Sequence, residues 1–165
     1  MIAQNVFFGV LALVMVLSAV RVVTVKNVVH AALYLVLVFA GVAGVFILLA
    51  SEFVAVVQVL VYIGAIIVLF LFGTMLTRAP IGLDDELDNP AGLKGLGALI
   101  SLALFGFLGS ILYDGFGKAK VEPGAVTRSG DIGLAIFQDF VIPFEVISVL
   151  LLAALVGAVV IARRD

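Results

Sequence analysis

Residues 53–77 read FVAVVQVLVYIGAIIVLFLFGTMLT, 25 residues without a charge, closed by Glu52 at one end and Arg78 at the other. A helix rises about 1.5 Å per residue, so the stretch reaches roughly 37 Å, enough to cross a hydrocarbon core of about 30 Å with some tilt. Its midpoint, Ala65, adjoins its least regular part, Val61-Tyr62-Ile63-Gly64-Ala65. Tyr62 carries a hydroxyl to a depth where no water satisfies it, and Gly64 removes a side chain at the same depth. A plain anchor needs neither residue.

The rest of the chain has the same solvent. Of 165 residues, 65% are hydrophobic and 12% charged. A soluble domain is about 45–50% apolar and about 25% charged, so this surface belongs in lipid. Four further apolar runs flank the central one, at 2–20, 28–50, 95–113 and 140–162. The expected fold is therefore all-α, a single integral membrane domain with five transmembrane helices. Met1 is followed by no basic segment and no small-residue cleavage site, so the first run is expected to be a retained span. Ser51-Glu52 leaves room only for a tight reversal between the second and third spans. Small residues at Ala40-Gly41-Val42-Ala43-Gly44, at Gly106 and Gly109, and at Ala153, Ala154, Gly157 and Ala158 are expected helix-contact points. Residues 78–94, with two prolines and four acids, read as a solvated loop. In the connection 114–139, Ile132, Ala135 and Ile136 share a helical face, which predicts a short helix on the membrane surface.

Five spans put the termini on opposite sides. With the N-terminus outside, the inner side holds Arg21, Lys26, Arg78, Lys94, Arg163 and Arg164, six of the nine basic residues. The positive-inside rule therefore predicts an external N-terminus and a cytoplasmic C-terminus. No basic patch points to nucleic acid. The absence of cysteine excludes thiolate metal sites and iron–sulfur ligation by this chain, and the single histidine, His30, argues against a histidine-based metal site.

No catalytic constellation is present. What remains is a few polar groups at membrane depth, which are costly there and point to function. Glu145 has two readings: a carboxylate stabilised by the first turns of its helix, or a protonatable group in a relay. Gln58 and Tyr62, four apart, share a face that either hydrogen-bonds a neighbouring helix or borders a water chain. His30, with Asn27 and Lys26, reads as an interfacial cap group, or as a proton entry or headgroup contact. Gly64 is either a packing contact or, beside Tyr62, part of a π-bulge spanning Tyr62, Ile63, Gly64 and Ala65. In an even helix Thr74 lies about 160° around from Gln58; one wide turn removes about 100° and leaves about 60°. Forming or annealing the bulge would re-aim the inner half of the span, as a switch requires.

These residues resemble a known family. The turn from Arg21 through Asn27 and His30 to Tyr34 is similar to that between the first two spans of subunit J of bacterial NADH-quinone oxidoreductase, respiratory complex I, whose mitochondrial counterpart is NADH dehydrogenase subunit 6. Gln58-Val-Leu-Val-Tyr62-Ile-Gly64-Ala-Ile-Ile-Val-Leu-Phe-Leu-Phe resembles that family's third-span motif, and Pro143-Phe-Glu145 through Gly157 to Ala162-Arg-Arg its final span. Some members have Glu at the position of Gln58, and many have Pro at that of Val28.

The resemblance implies a subunit without a cofactor of its own, in a complex that carries NAD, FMN, iron–sulfur clusters and quinone. Its neighbours would be subunits A, H, K and N and, through them, the peripheral arm, in the bacterial inner (plasma) membrane. It implies a π-bulge at Tyr62 and Gly64 whose rearrangement opens and closes a hydrated proton path. Alternatives are the equivalent subunit of a ferredoxin- or F420-fed dehydrogenase or membrane-bound hydrogenase, a subunit of a multisubunit cation/proton antiporter, and a small stand-alone transporter.

Overall fold

A computed structural model describes residues 2–77, 91–117 and 128–163. These residues are almost wholly helical, with five helices long and apolar enough to cross a membrane. We number them in chain order: α1 (Ile2–Thr24), α2 (Val28–Leu48), α3 (Glu52–Leu76), α4 (Ala91–Phe116), the short α5 (Ser129–Gln138) and α6 (Val141–Ala162).

The helices differ from the apolar runs at their ends, because polar residues end a hydrophobic run before they end a helix. α1 continues one turn past Val20, with Arg21 near its negative C-terminal end and the Thr24 hydroxyl donating to the Val20 carbonyl at 2.9 Å. α4 starts at Ala91, inside the stretch expected to be loop, and runs on to Phe116. The remainder of that loop, 78–90, and the first part of the later connection, 118–127, lie outside the described residues, as do Arg78, Lys118, Lys120 and Arg164 of the charge count.

Asn27 starts α2. Its Oδ1 accepts from the backbone N–H of Val29 at 2.9 Å and of His30 at 3.3 Å, so Asn27 is the cap and His30 is one of the residues capped. α2 stops at Leu48, two residues short of the apolar run. There the Ser51 N–H donates to the Phe46 carbonyl at 2.9 Å and the Ala50 N–H to the Ile47 carbonyl at 3.0 Å. This pair of bonds closes a Schellman turn, and it holds Ala50 at φ 56°, where glycine is usual. The chain thereby reverses in three residues, and α3 returns along α2.

α1, α2 and α3 form one layer with α2 in the middle. The crossing of α1 and α2 uses the predicted small residues. A Cβ at Gly41 would overlap the Met15 side chain, and one at Gly44 would lie 3.0 Å from Leu11 Cδ1. Counting 100° per residue, Phe39, Ala32 and Ala43 lie within about 40° of one another, on the side away from Gly41. That side faces α3: Ala32 and Ala43 are 2% and 4% exposed, and Phe39 meets the Tyr62 ring edge-to-face at 5.4 Å.

α4 and α6 have no helix packed along their membrane-spanning windows among the described residues, and nothing in either window is buried. The predicted contact points Gly106, Gly109 and Gly157 meet no side chain within 4 Å. Helices this apolar need lipid or other proteins around them. α5 forms as expected, with Asp131 Oδ2 accepting from the Arg128 N–H at 3.0 Å, and it leans on the start of α6 through Phe137 and Phe144, ring centroids 5.0 Å apart.

Candidate functional site

The middle of α3 is not an α-helix. Residues Gln58–Ile67 are π-helical, flanked by α-helix at Glu52–Val57 and Val68–Leu76. Tyr62, Ile63, Gly64 and Ala65 all fall inside it. The ten-residue segment is longer than the single wide turn considered from sequence, and its consequence is larger.

In an even helix Ile67, Leu71 and Thr74 would lie about 160–220° around the axis from Gln58, on the opposite side of the rod. In the structure they are the covered residues of the C-terminal half, as Ala55 and Gln58 are of the N-terminal half, and both halves pack on α2. Ile67 is 2% exposed and Gln58 8%, whereas Leu69, which an even helix would align with Gln58, is 72% exposed. The π segment has therefore turned the C-terminal half by about half a revolution, where one wide turn supplies about 100°. The 60° residue expected for Thr74 is accordingly taken up.

Gly64 is not a contact point between helices. An added Cβ would meet only the Val59 carbonyl oxygen, at 3.4 Å, in its own helix and five residues back. Five residues is the spacing at which a π turn pairs its backbone. The contact is an ordinary one, so the wide turn has room for a Cβ, and what glycine adds is backbone freedom.

Gln58 and Tyr62 lie four residues apart in the N-terminal half of the π segment. The antiparallel register set by Phe39 and Tyr62 puts Ala43 level with Gln58, and both are buried. The Tyr62 ring lies against Phe39, and its hydroxyl has no hydrogen-bond partner among the described residues. Thr74 and Thr77 satisfy themselves: their hydroxyls donate to the carbonyls of Leu71 at 2.8 Å and Gly73 at 2.9 Å.

The structure does not bring Glu145 to this cluster. It lies one turn into α6, exposed, beside an open groove of about 300 Å³ that it lines with Ile142, Val146 and Val149. α6 is not packed along α3. Among the described residues no three His, Cys, Asp or Glu side chains are placed to hold a metal ion. The residues that sequence reasoning missed are Phe39 and Ile67. An aromatic residue or isoleucine in an apolar span gives no signal by itself; only the changed pitch singles them out.

The π segment sets which residues of the C-terminal half of this spanning helix face α2; a change of pitch would exchange them. Comparison with known proteins supplies the setting. Residues 18–161 match the model of the family described as NADH-ubiquinone/plastoquinone oxidoreductase chain 6. The chain is 40% identical over 163 residues to the F(420)H(2) dehydrogenase subunit J of Methanosarcina mazei, covering 98% of this chain and 92% of that one. It is 39% identical over 170 residues to NAD(P)H-quinone oxidoreductase chain 6 of Leptolyngbya boryana, covering 98% and 81%. It is 40% identical over 168 residues to the protein of the same name from Nostoc sp., covering 98% and 80%.

Proposed function

Since the chain belongs to the NADH-ubiquinone/plastoquinone oxidoreductase chain 6 family, the membrane subunits of NADH-quinone oxidoreductase-like complexes, we propose that it couples quinone reduction to proton transfer by changing the pitch of α3. The observation that carries this reading is the π segment itself. It turns Ile67, Leu71 and Thr74 by about half a revolution relative to an even helix, so the two windings present different inner surfaces to α2. A ligand or redox event that binds one winding better shifts the balance between them. Redox chemistry at the quinone site of the parent complex would supply that bias, and the change in lining would wet or dry a proton path beside Gln58 and Tyr62. The chain itself would be non-catalytic, with NAD, FMN, iron–sulfur clusters and quinone held by the complex.

Glu145, on a separate helix, would contribute to such a path through a neighbouring subunit. The bare faces of α4 and α6 would be the surfaces that subunits A, H, K and N cover. The N-terminus would lie outside a bacterial inner membrane and the C-terminus in the cytoplasm. The quinone and F(420)H(2) oxidoreductase relatives support a redox assembly over the antiporter and stand-alone transporter readings.

A second reading of the electron donor has its own support. The F(420)H(2) dehydrogenase subunit of Methanosarcina mazei is as similar to this chain as the Nostoc protein is, which supports a donor chosen by the peripheral module and not by this chain. Purification through a tag on this chain, with identification of the co-migrating polypeptides, tests the assignment. Quinone-module and pump-like membrane subunits together with flavin and iron–sulfur proteins are the expected result, and the donor-binding subunit among them names the donor. A particle without redox subunits would reject the assignment.

A further inference from the structure

We propose that Phe39 is the catch that holds α3 in the wound-out pitch seen here, a positioning residue acting on Tyr62; this rests on the reading of α3 as a two-pitch helix. Phe39 stands on the α3-facing side of α2, between two nearly fully covered alanines, Ala32 and Ala43. It is the one bulky side chain of α2 whose ring meets a ring of the π segment, edge-to-face at 5.4 Å and 73°.

The outer end of α3 is fixed, since Ala55 and Gln58 are buried there. A π turn advances less per residue than an α turn, so rewinding from that end swings Tyr62 about the axis by some tens of degrees. Side chains stand roughly 5–6 Å from a helix axis, so the ring would travel several ångströms. An edge-to-face contact is specific to centroid separation and tilt and does not survive such a shift. The pair therefore favours one pitch over the other, which is what a catch requires. A typical aromatic pair biases an equilibrium about two- to twelvefold.

The chain has no cysteine, so a pair can be introduced cleanly. In an even helix Leu69 would lie on the α2 side of α3, and the register of Phe39 with Tyr62 puts it level with Ala32. In the structure Leu69 is 72% exposed, on the far side of α3. A disulfide needs Cα atoms within about 7 Å, so Ala32→Cys with Leu69→Cys closes only from the rewound helix. The rate of closure under a copper–phenanthroline oxidant, in the assembled membrane complex, reports how often that winding is visited.

Adding Phe39→Leu is expected to raise the closure rate about two- to twelvefold. Tyr62→Leu should raise it equally, the two together no further, and Phe39→Tyr should leave it at the parent rate. Phe46→Leu, on the same side of α2 but beyond the π segment, controls for loosened packing and should change nothing. An unchanged or slower rate with Phe39→Leu, an equal gain with Phe46→Leu, or no closure in any variant would overturn the proposal. Faster closure with proton coupling left intact in a Gly64→Val complex would uphold the catch and reject the gate.

Discussion

Replacing Gly64 with valine is expected to cut proton-coupled quinone turnover about tenfold, equivalent to roughly 1.4 kcal/mol on the limiting step. Oxidation of the donor by an artificial acceptor should stay near the parent rate. The effect is one of switching, not of folding. An added Cβ meets only the Val59 carbonyl at 3.4 Å, an ordinary contact, so the winding seen here accepts a side chain. What valine takes away is backbone freedom, and its branched Cβ is crowded by the preceding turn of a narrower helix. Rewinding is therefore opposed while the wide turn persists. Gly64→Ala, which adds the Cβ alone, should fall between parent and valine. Comparing quinone-linked proton uptake with acceptor reduction in the same membranes separates the two activities. Equal losses in both would mean that the variant damages assembly and says nothing of a gate.

The largest expected loss of stability is at the crossing of α1 and α2. Gly41→Val should destabilise the subunit by about 3 kcal/mol or more, and Gly41→Ala by about 1–3 kcal/mol, the usual range for overpacking. A Cβ at Gly41 overlaps the middle of the Met15 side chain, not its far end, so the methionine cannot simply swing its tip away. Lipid offers no hydrophobic compensation for a wider helix separation, because close packing is what holds spanning helices together. Gly9→Ala, with nothing within 4 Å, should be nearly neutral. Truncating the partner, Met15→Ala, should recover much of the Gly41→Ala loss. The midpoint of thermal disassembly and the yield of intact complex measure all four.

Most of the fold was legible because the membrane enforces a simple rule. Apolar runs long enough to span must be helices, and five such runs gave five spanning helices. Their ends were less legible, since Arg21, Thr24 and Ala91 are polar or neutral residues that helices carry without complaint at an interface. The reversal at Ala50 carried no glycine to announce its positive φ. The small residues of α2 found their partner, α1, inside the chain. Those of α4 and α6 meet no helix among the described residues; under the proposed function they would face other subunits, and composition does not tell the two kinds of surface apart.

At the candidate site, Tyr62 and Gly64 were conspicuous as a hydroxyl and a missing side chain at mid-depth. The length of the π segment was not. Periodicity is uninformative where every residue is apolar, so no pattern revealed that Ile67, Leu71 and Thr74 share a side with Gln58. Phe39 and Ile67 became visible only through that geometry.

The central claim is that α3 has two windings and exchanges them during turnover. Its most direct measurement is a high-resolution structure of the assembled complex with the quinone site empty and again with it occupied. The account predicts that one state keeps Gln58–Ile67 wound out with Ile67 against α2, and that the other is evenly wound with Leu69 in its place. Ile67 against α2, with the same π segment, in every state would contradict it.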